Sequence, residues 1–307
     1  MSEKPYNSPQ LDKIRRQIDA LDERIHDALM ERAELVLKVG EEKRKNNIQI
    51  VQPAREARMI RRLLGRHHGA LPEMAVVRIW RELVGAVSLL QTGLKVAVVA
   101  PEGYPEYWDL AKDYFGSCLP MQKILSSSSA IGAVREGRVT FAVLPWPDNQ
   151  DPNPWWSYLG EDGGERLQII VRLPHGDDPD SAGPDQKALV VSKSGFDSSG
   201  DEDTPDRDRS FLLIECGAEV SRAKIVGAVE KTGMAALSLA SKPAADSDER
   251  RLHLLEVNRY MGDGSQDRIK EFKAALEDES AKIVCVGGYP TPPVYSKTVP
   301  AKESAVK

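Results

Sequence analysis

Arg15, Arg32, Lys43 and Gln91 are polar groups set on or beside apolar stripes, and that placement is where this sequence invites a chemical reading. Between Ser8 and Asn47, Leu11, Ile14, Ile18, Leu21, Ile25, Ala28, Leu35 and Val39 mark one face of a long helix. Arg32 and Lys43 fill the remaining places in that row, and Arg15 stands one turn after Leu11 at its edge. A cation on a buried seam is costly unless a fixed anion meets it. Such a row predicts a pocket between helices for a small, multiply charged anion.

Two further helices must complete the pocket. One starts at Pro53, a residue suited to a first helical position, and runs through Arg55, Glu56, Ile60, Leu63 and Leu64 to Gly65. The other spans about Pro72 to Gln91 with Val77, Trp80, Val84, Val87 and Gln91 on one stripe. Arg55 and Glu56 are residue types that are usually solvated in a first turn, so Arg32 and Gln91, on apolar stripes, carry the argument. His67 and His68 fall in a loop without ligand spacing, so they read as solvent-exposed and no metal is expected. A first helix about 50 Å long cannot be covered by two shorter ones. Pairing of the long helices in a homodimer is therefore expected.

The 307 residues are 41% hydrophobic, enough for two or three domains with real cores. Net charge is -5; residues 1–92 hold 17 Lys+Arg against 13 Asp+Glu, leaving 25 against 34 elsewhere. An acidic total with charge alternating in sign disfavours nucleic-acid binding. No apolar run approaches a membrane span and the start MSEKPYNSPQ has no signal core, so a cytoplasmic protein is expected. Cys118, Cys216 and Cys285 are odd in number and far apart, which suggests neither a disulfide framework nor a zinc motif.

From Lys95 the pattern alternates β and α: LKVAVVAPEG, a helix ending KDYFG, another ending AIGAVREG, then VTFAVLP. Asp, Pro, Gly and Ser crowd residues 175–186 and 194–208 on either side of the strand KALVVSK, and both read as mobile loops. SFLLIEC, SRAKIVGAVEKTG, LSLASKP, RLHLLEVN, QDRIKEFKAALED and AKIVCVGGYP then give βαββαβ, the ferredoxin-like order. The fold class expected is multidomain α+β: an all-helical intertwined dimer unit at 8–92, an α/β lobe at 95–193, a ferredoxin-like unit at 209–293, and a disordered tail at 294–307.

Arg15, Arg32, Lys43, the stretch QPARE at Gln52 to Glu56, and Gln91 together resemble the all-helical (AroQ-class) chorismate mutases. That resemblance implies an intertwined helical dimer converting chorismate to prephenate, without cofactor or metal. It implies substrate contacts from Arg15, Arg32, Lys43, Gln52, Arg55, Glu56, Val87 and Gln91, with Arg32, Lys43 and Gln91 catalytic. Arg15 would reach across from the partner and, with Arg32, clamp two carboxylates; Arg55 would steady that side. Lys43 and Gln91 would face the ether oxygen, and Glu56 the ring hydroxyl. Two positions depart from the family: Gln52 replaces a common acid, and Val87 a small hydroxyl-bearing residue. Even alone, the segment 1–92 is expected to form a helical dimer with some activity.

Residues 95–293 resemble a shortened prephenate dehydratase region. APEG at 100–103, FAVLP at 141–145 and GGYP at 287–290 are similar to the family's opening turn, the strand before its substrate loop and the end of its ACT domain. Its Thr-Arg-Phe motif is replaced by Gln186, Lys187 and Ala188, WPDNQDP stands for a Glu-Asn-Ser sequence, and a second lobe is missing. A dehydratase site lies between two lobes, so dehydration is not expected. Arg222, at an ACT-type turn, and Ala240, in place of an acid, argue against amino-acid binding. Alternatives are a non-catalytic sensor or partner-binding protein on a mutase scaffold, or a bifunctional mutase and dehydratase.

Overall fold

The computed structural model describes residues 8–46, 48, 51–100, 106–151, 153–160, 166–176, 187–193, 195, 208–244, 247–262, 264–291 and 293–296. Gln186, most of APEG and most of the two Asp-rich loops lie outside them.

Helix α1 is Pro9–Lys45. Ser8 caps it, its Oγ accepting from Leu11 N at 3.2 Å, and Pro9 needs no amide partner there. Lys43, Arg44 and Lys45 occupy the last turn, where cations meet the negative end of the helix dipole. Helix α2 is Pro53–Gly65 and α3 is Glu73–Thr92, the latter stopped by Gly93 at φ 64°. The stop needs a left-handed residue, which glycine adopts without strain. Only Gly40 of α1 is buried, and Leu11, Ile14, Ile18, Leu21 and Ile25 remain 37–56% exposed. Among the described residues of one chain, nothing buries the front half of the seam.

The rest is built on one nine-stranded sheet in the order β2-β1-β3-β5-β4-β9-β6-β8-β7. Its first half comprises β1 (Val96–Val99), β2 (Met121–Ile124), β3 (Phe141–Pro145), β4 (Gln168–Leu173) and β5 (Ala188–Ser192). Helices α4 (Glu106–Phe115) and α5 (Ser127–Arg135) connect the parallel trio β2-β1-β3. The second half is β6 (Asp208–Gly217), α6 (Arg222–Lys231), β7 (Ala236–Ala244), β8 (Ser247–Val257), α7 (Gln266–Leu276) and β9 (Lys282–Pro290). Its βαββαβ order is the one read from the sequence, with register running from Ser210↔Val257 to Gly217↔Arg250.

The two halves share an edge. β4 pairs β9 in parallel through Ile169↔Gly287, where Gly287 has φ 107° and a Cβ would collide with the Ile169 backbone. Only glycine allows that approach. One apolar cluster then runs across the seam, joining Leu189 and Ile169 to Phe211 and Tyr289 around Trp155, Trp156 and Leu159. The lobe and the ferredoxin-like unit are thus fused through a common sheet and core, which their separate sequence patterns do not reveal.

Two side-chain placements bear on the expectations above. Arg222 Nη1 donates to Ser241 Oγ at 3.0 Å and to Asn149 Oδ1 at 3.2 Å, and its Nη2 to Leu239 O. The guanidinium thereby ties α6 and β7 to the loop after β3. The start of the expected disordered tail is also held: Tyr295 Oη donates to His175 O at 3.0 Å, and Ser296 N to Glu73 Oε2 at 2.8 Å.

Candidate active site

A cavity of about 530 Å³ lies between α1, α2 and α3. α1 contributes Arg32, Leu35, Val36, Val39 and Lys43; α2 contributes Arg55, Glu56, Arg58, Met59 and Arg62; α3 contributes Val84, Val87, Ser88 and Gln91. Among the described lining residues five are cationic and one is a carboxylate, in a volume suited to a small molecule. Apolar walls from Leu35, Val36, Val39 and Met59 lower the local dielectric and strengthen that field.

Arg32 is half-buried, and among the described residues no carboxylate pairs with it. Its Nη2 lies 4.0 Å from the Met59 sulfur, and burial followed by the nearby Arg55 guanidinium lowers its pKa. Lys43 Nζ donates to Gln52 Oε1 at 2.9 Å. A neutral amide there holds the ammonium without cancelling its charge. Gln91 Nε2 donates to Val36 O at 2.6 Å, and Arg44 Nη1 to Gln91 O at 3.0 Å, so the end of α3 is stitched to α1.

Of the residues singled out in the sequence, Arg32, Lys43, Arg55, Glu56, Val87 and Gln91 come together in this cavity. Gln52 sits beside it through Lys43. Arg15 does not join them: it is exposed, with Asp12 at 3.8 Å. It stands seventeen residues before Arg32 on one continuous helix, about 25 Å away at 1.5 Å per residue. It cannot reach the cavity of its own chain.

Several lining residues escaped the sequence reading. Arg58, Met59 and Arg62 follow Arg55 at helical spacing, a signal that was present. Ser88 brings a hydroxyl to the lining next to Val87. Arg81 is the largest omission. It lies four residues after Val77 on an apolar stripe, is 3% exposed, and donates from Nη1 to Glu56 Oε2 at 2.7 Å. Like Arg32, it is a cation placed on an apolar stripe. Its other contacts had no sequence signal: Nη2 to His175 Nε2 at 2.9 Å, and the Tyr114 ring 4.3 Å from Cζ. Tyr114 Oη also donates to Glu56 Oε2, at 3.4 Å.

Among the described residues no group of His, Cys, Asp and Glu could hold a metal, and no helix is long and apolar enough to cross a membrane.

Residues 14–92 match the family model for chorismate mutase type II. The chain is 30% identical over 140 residues to a bifunctional chorismate mutase/prephenate dehydratase of Aquifex aeolicus (strain VF5), covering 44% of this chain and 38% of that protein. It is 29% identical over 141 residues to the protein of the same description from Stutzerimonas stutzeri, with the same coverage. The chain therefore spans well under half the length of these curated relatives. A solved prephenate dehydratase from Streptococcus mutans shares 13% identity over 66% of this chain and 98% of its own, at a TM-score of 0.44. The similarity to chorismate mutase type II thus falls on the helical segment, residues 14–92, whose three helices line the cavity.

Proposed function

We propose that the chain is a chorismate mutase that rearranges chorismate to prephenate in aromatic amino-acid synthesis, working as a cytoplasmic homodimer. The observation that carries this is Arg32: a half-buried cation on a helix seam, with no carboxylate partner among the described residues, in a cavity whose described lining holds five cationic residues and one carboxylate. A dianionic substrate supplies the missing charge.

The reaction is unimolecular, so the site has to hold a compact conformer and stabilise charge as the ether bond breaks. Arg32 and Arg55 take the carboxylates, where a guanidinium can bind in bidentate fashion. Lys43 and Gln91 donate toward the ether oxygen as negative charge develops on it. Glu56 accepts from the ring hydroxyl, while Val87 and Ser88 shape the wall and Gln52 positions Lys43. The exposed row Leu11, Ile14, Ile18, Leu21 and Ile25 pairs with a second copy, whose Arg15 completes the carboxylate clamp. We divide the chain at 8–92, 95–193 and 209–293, with the latter two serving assembly rather than dehydration. Residues 174–187 separate β4 from β5, a span short for a second lobe, and this supports that division.

The test is purified protein with chorismate in the presence of a chelator, with products resolved by chromatography. Prephenate should accumulate without phenylpyruvate above background. Unchanged chorismate would remove the reading, and enzyme-dependent phenylpyruvate would restore the bifunctional alternative.

A further inference from the structure

We propose that Arg81, Tyr114 and His175 form a positioning relay that fixes Glu56, so that residues outside the helical segment set the binding geometry of the mutase pocket. The inference rests on the mutase reading above and adds to it a dependence on the α/β lobe.

Arg81 is held at three points: Glu56 Oε2 at 2.7 Å, His175 Nε2 at 2.9 Å, and the face of Tyr114 at 4.3 Å. A guanidinium only donates, so His175 Nε2 must accept, which makes the imidazole neutral with its proton on Nδ1. Burial, then Arg81, Arg61 and Arg172, lower the His175 pKa and keep the ring in that form. Burial and the Glu56 charge push the Tyr114 phenol up, so it remains a donor.

Both bonds to Glu56 fall on Oε2, and Oε1 makes no hydrogen bond among the described residues. One oxygen is anchored and the other is left for a hydroxyl. The frame around this relay is stiff. One turn beyond Arg81, a Cβ at Gly85 would collide with Phe115 O, so α3 meets α4 backbone to backbone and cannot slide.

The relay acts on Glu56 rather than on substrate, so its loss should appear mainly in KM. In the full-length chain, Arg81→Ala should raise KM for chorismate about tenfold with a smaller change in kcat. Arg81→Lys should recover part of that loss, since it keeps a charge for Glu56 but loses the His175 bond. Tyr114→Phe, which preserves shape, should raise KM about threefold. On a Glu56→Gln background, Arg81→Ala and Tyr114→Phe should each add less than about twofold, because coupled residues are not additive. Melting curves confirm folding, and if Arg81→Ala does not fold, Tyr114→Phe with and without Glu56→Gln decides. An active wild type with full additivity, or with unchanged KM in these variants, overturns the relay alone. An inactive wild type removes the mutase reading and the relay with it.

Discussion

Gly40 on α1 lies directly against the Gln91 side chain of α3: a Cβ at position 40 would sit 3.0 Å from Gln91 Cδ and Nε2. Gln91 Nε2 in turn donates to Val36 O, one turn earlier on α1. The absence of a side chain at 40 is what allows the Gln91 amide to lie at the cavity wall.

Gly40→Ala sets two effects against each other. Alanine favours the helix by about 1 kcal/mol over glycine, yet its methyl must displace Gln91. We expect stability to hold or rise while kcat falls about tenfold, measured by melting and steady-state assay. An unchanged kcat would show that Gln91 has room to adjust or no part in the reaction.

Arg32→Ala and Lys43→Ala should each lower kcat/KM by about two orders of magnitude or more, since each removes a charge from the anion clamp. Arg32 is the sharper test because its contact to Met59 is weak, so little folding energy is lost with it. Full activity in either variant would remove the site assignment.

Ile18 and Leu21 are 50% and 51% exposed on the bare half of α1. Replacing both with Glu should leave the chain folded but monomeric in sedimentation, because burying two carboxylates in a helix seam costs several kcal/mol. The monomer should also lose nearly all activity, since Arg15 can serve only a neighbouring copy. An active monomer would contradict the shared site.

Burial, together with Arg81, Arg61 and Arg172, holds the His175 pKa well below its ordinary 6.5. The unfolded chain therefore takes up a proton that the folded chain refuses. Stability contributed by the neutral ring at pH 7 should fall as pH drops below about 6.5. His253, held at about 4 by burial and then by Arg222 and Arg251, adds a slope of the same sign. Urea melts of wild type and His175→Gln between pH 5 and 8 separate the two: the variant should show the shallower decline, and parallel curves would exclude His175 as a source.

Arg222 spans Leu239 O, Ser241 Oγ and Asn149 Oδ1, so its guanidinium occupies the turn that the ACT resemblance would assign to an amino acid. Calorimetry with phenylalanine, tyrosine and tryptophan should give no micromolar binding and mutase rates should not respond. Arg222→Ala should loosen the loop after β3, seen as faster amide exchange around Asn149. Tight phenylalanine binding to the wild type would reverse this assignment.

Periodicity located α1, α2, α3 and the βαββαβ order, because each is written in local spacing of apolar residues and in boundary residues such as Pro53 and Gly65. It also marked Arg32, Lys43 and Gln91, since a polar group on an apolar stripe is conspicuous in one dimension. Arg81 carried the same mark, but its role depended on Tyr114 and His175, residues 33 and 94 positions away, which only packing brings together. Gly85 against Phe115, and Glu56 under Tyr114, also join the pocket to the lobe that follows, contacts that the spacing within residues 1–92 does not carry. Likewise the glycines of GGYP read as family markers, whereas the close approach of Gly287 to Ile169, which makes two sheets into one, is a property of the assembled backbone. Local sequence encodes the period and ends of each element; which faces meet depends on long-range packing, and that decided how Glu56 is held.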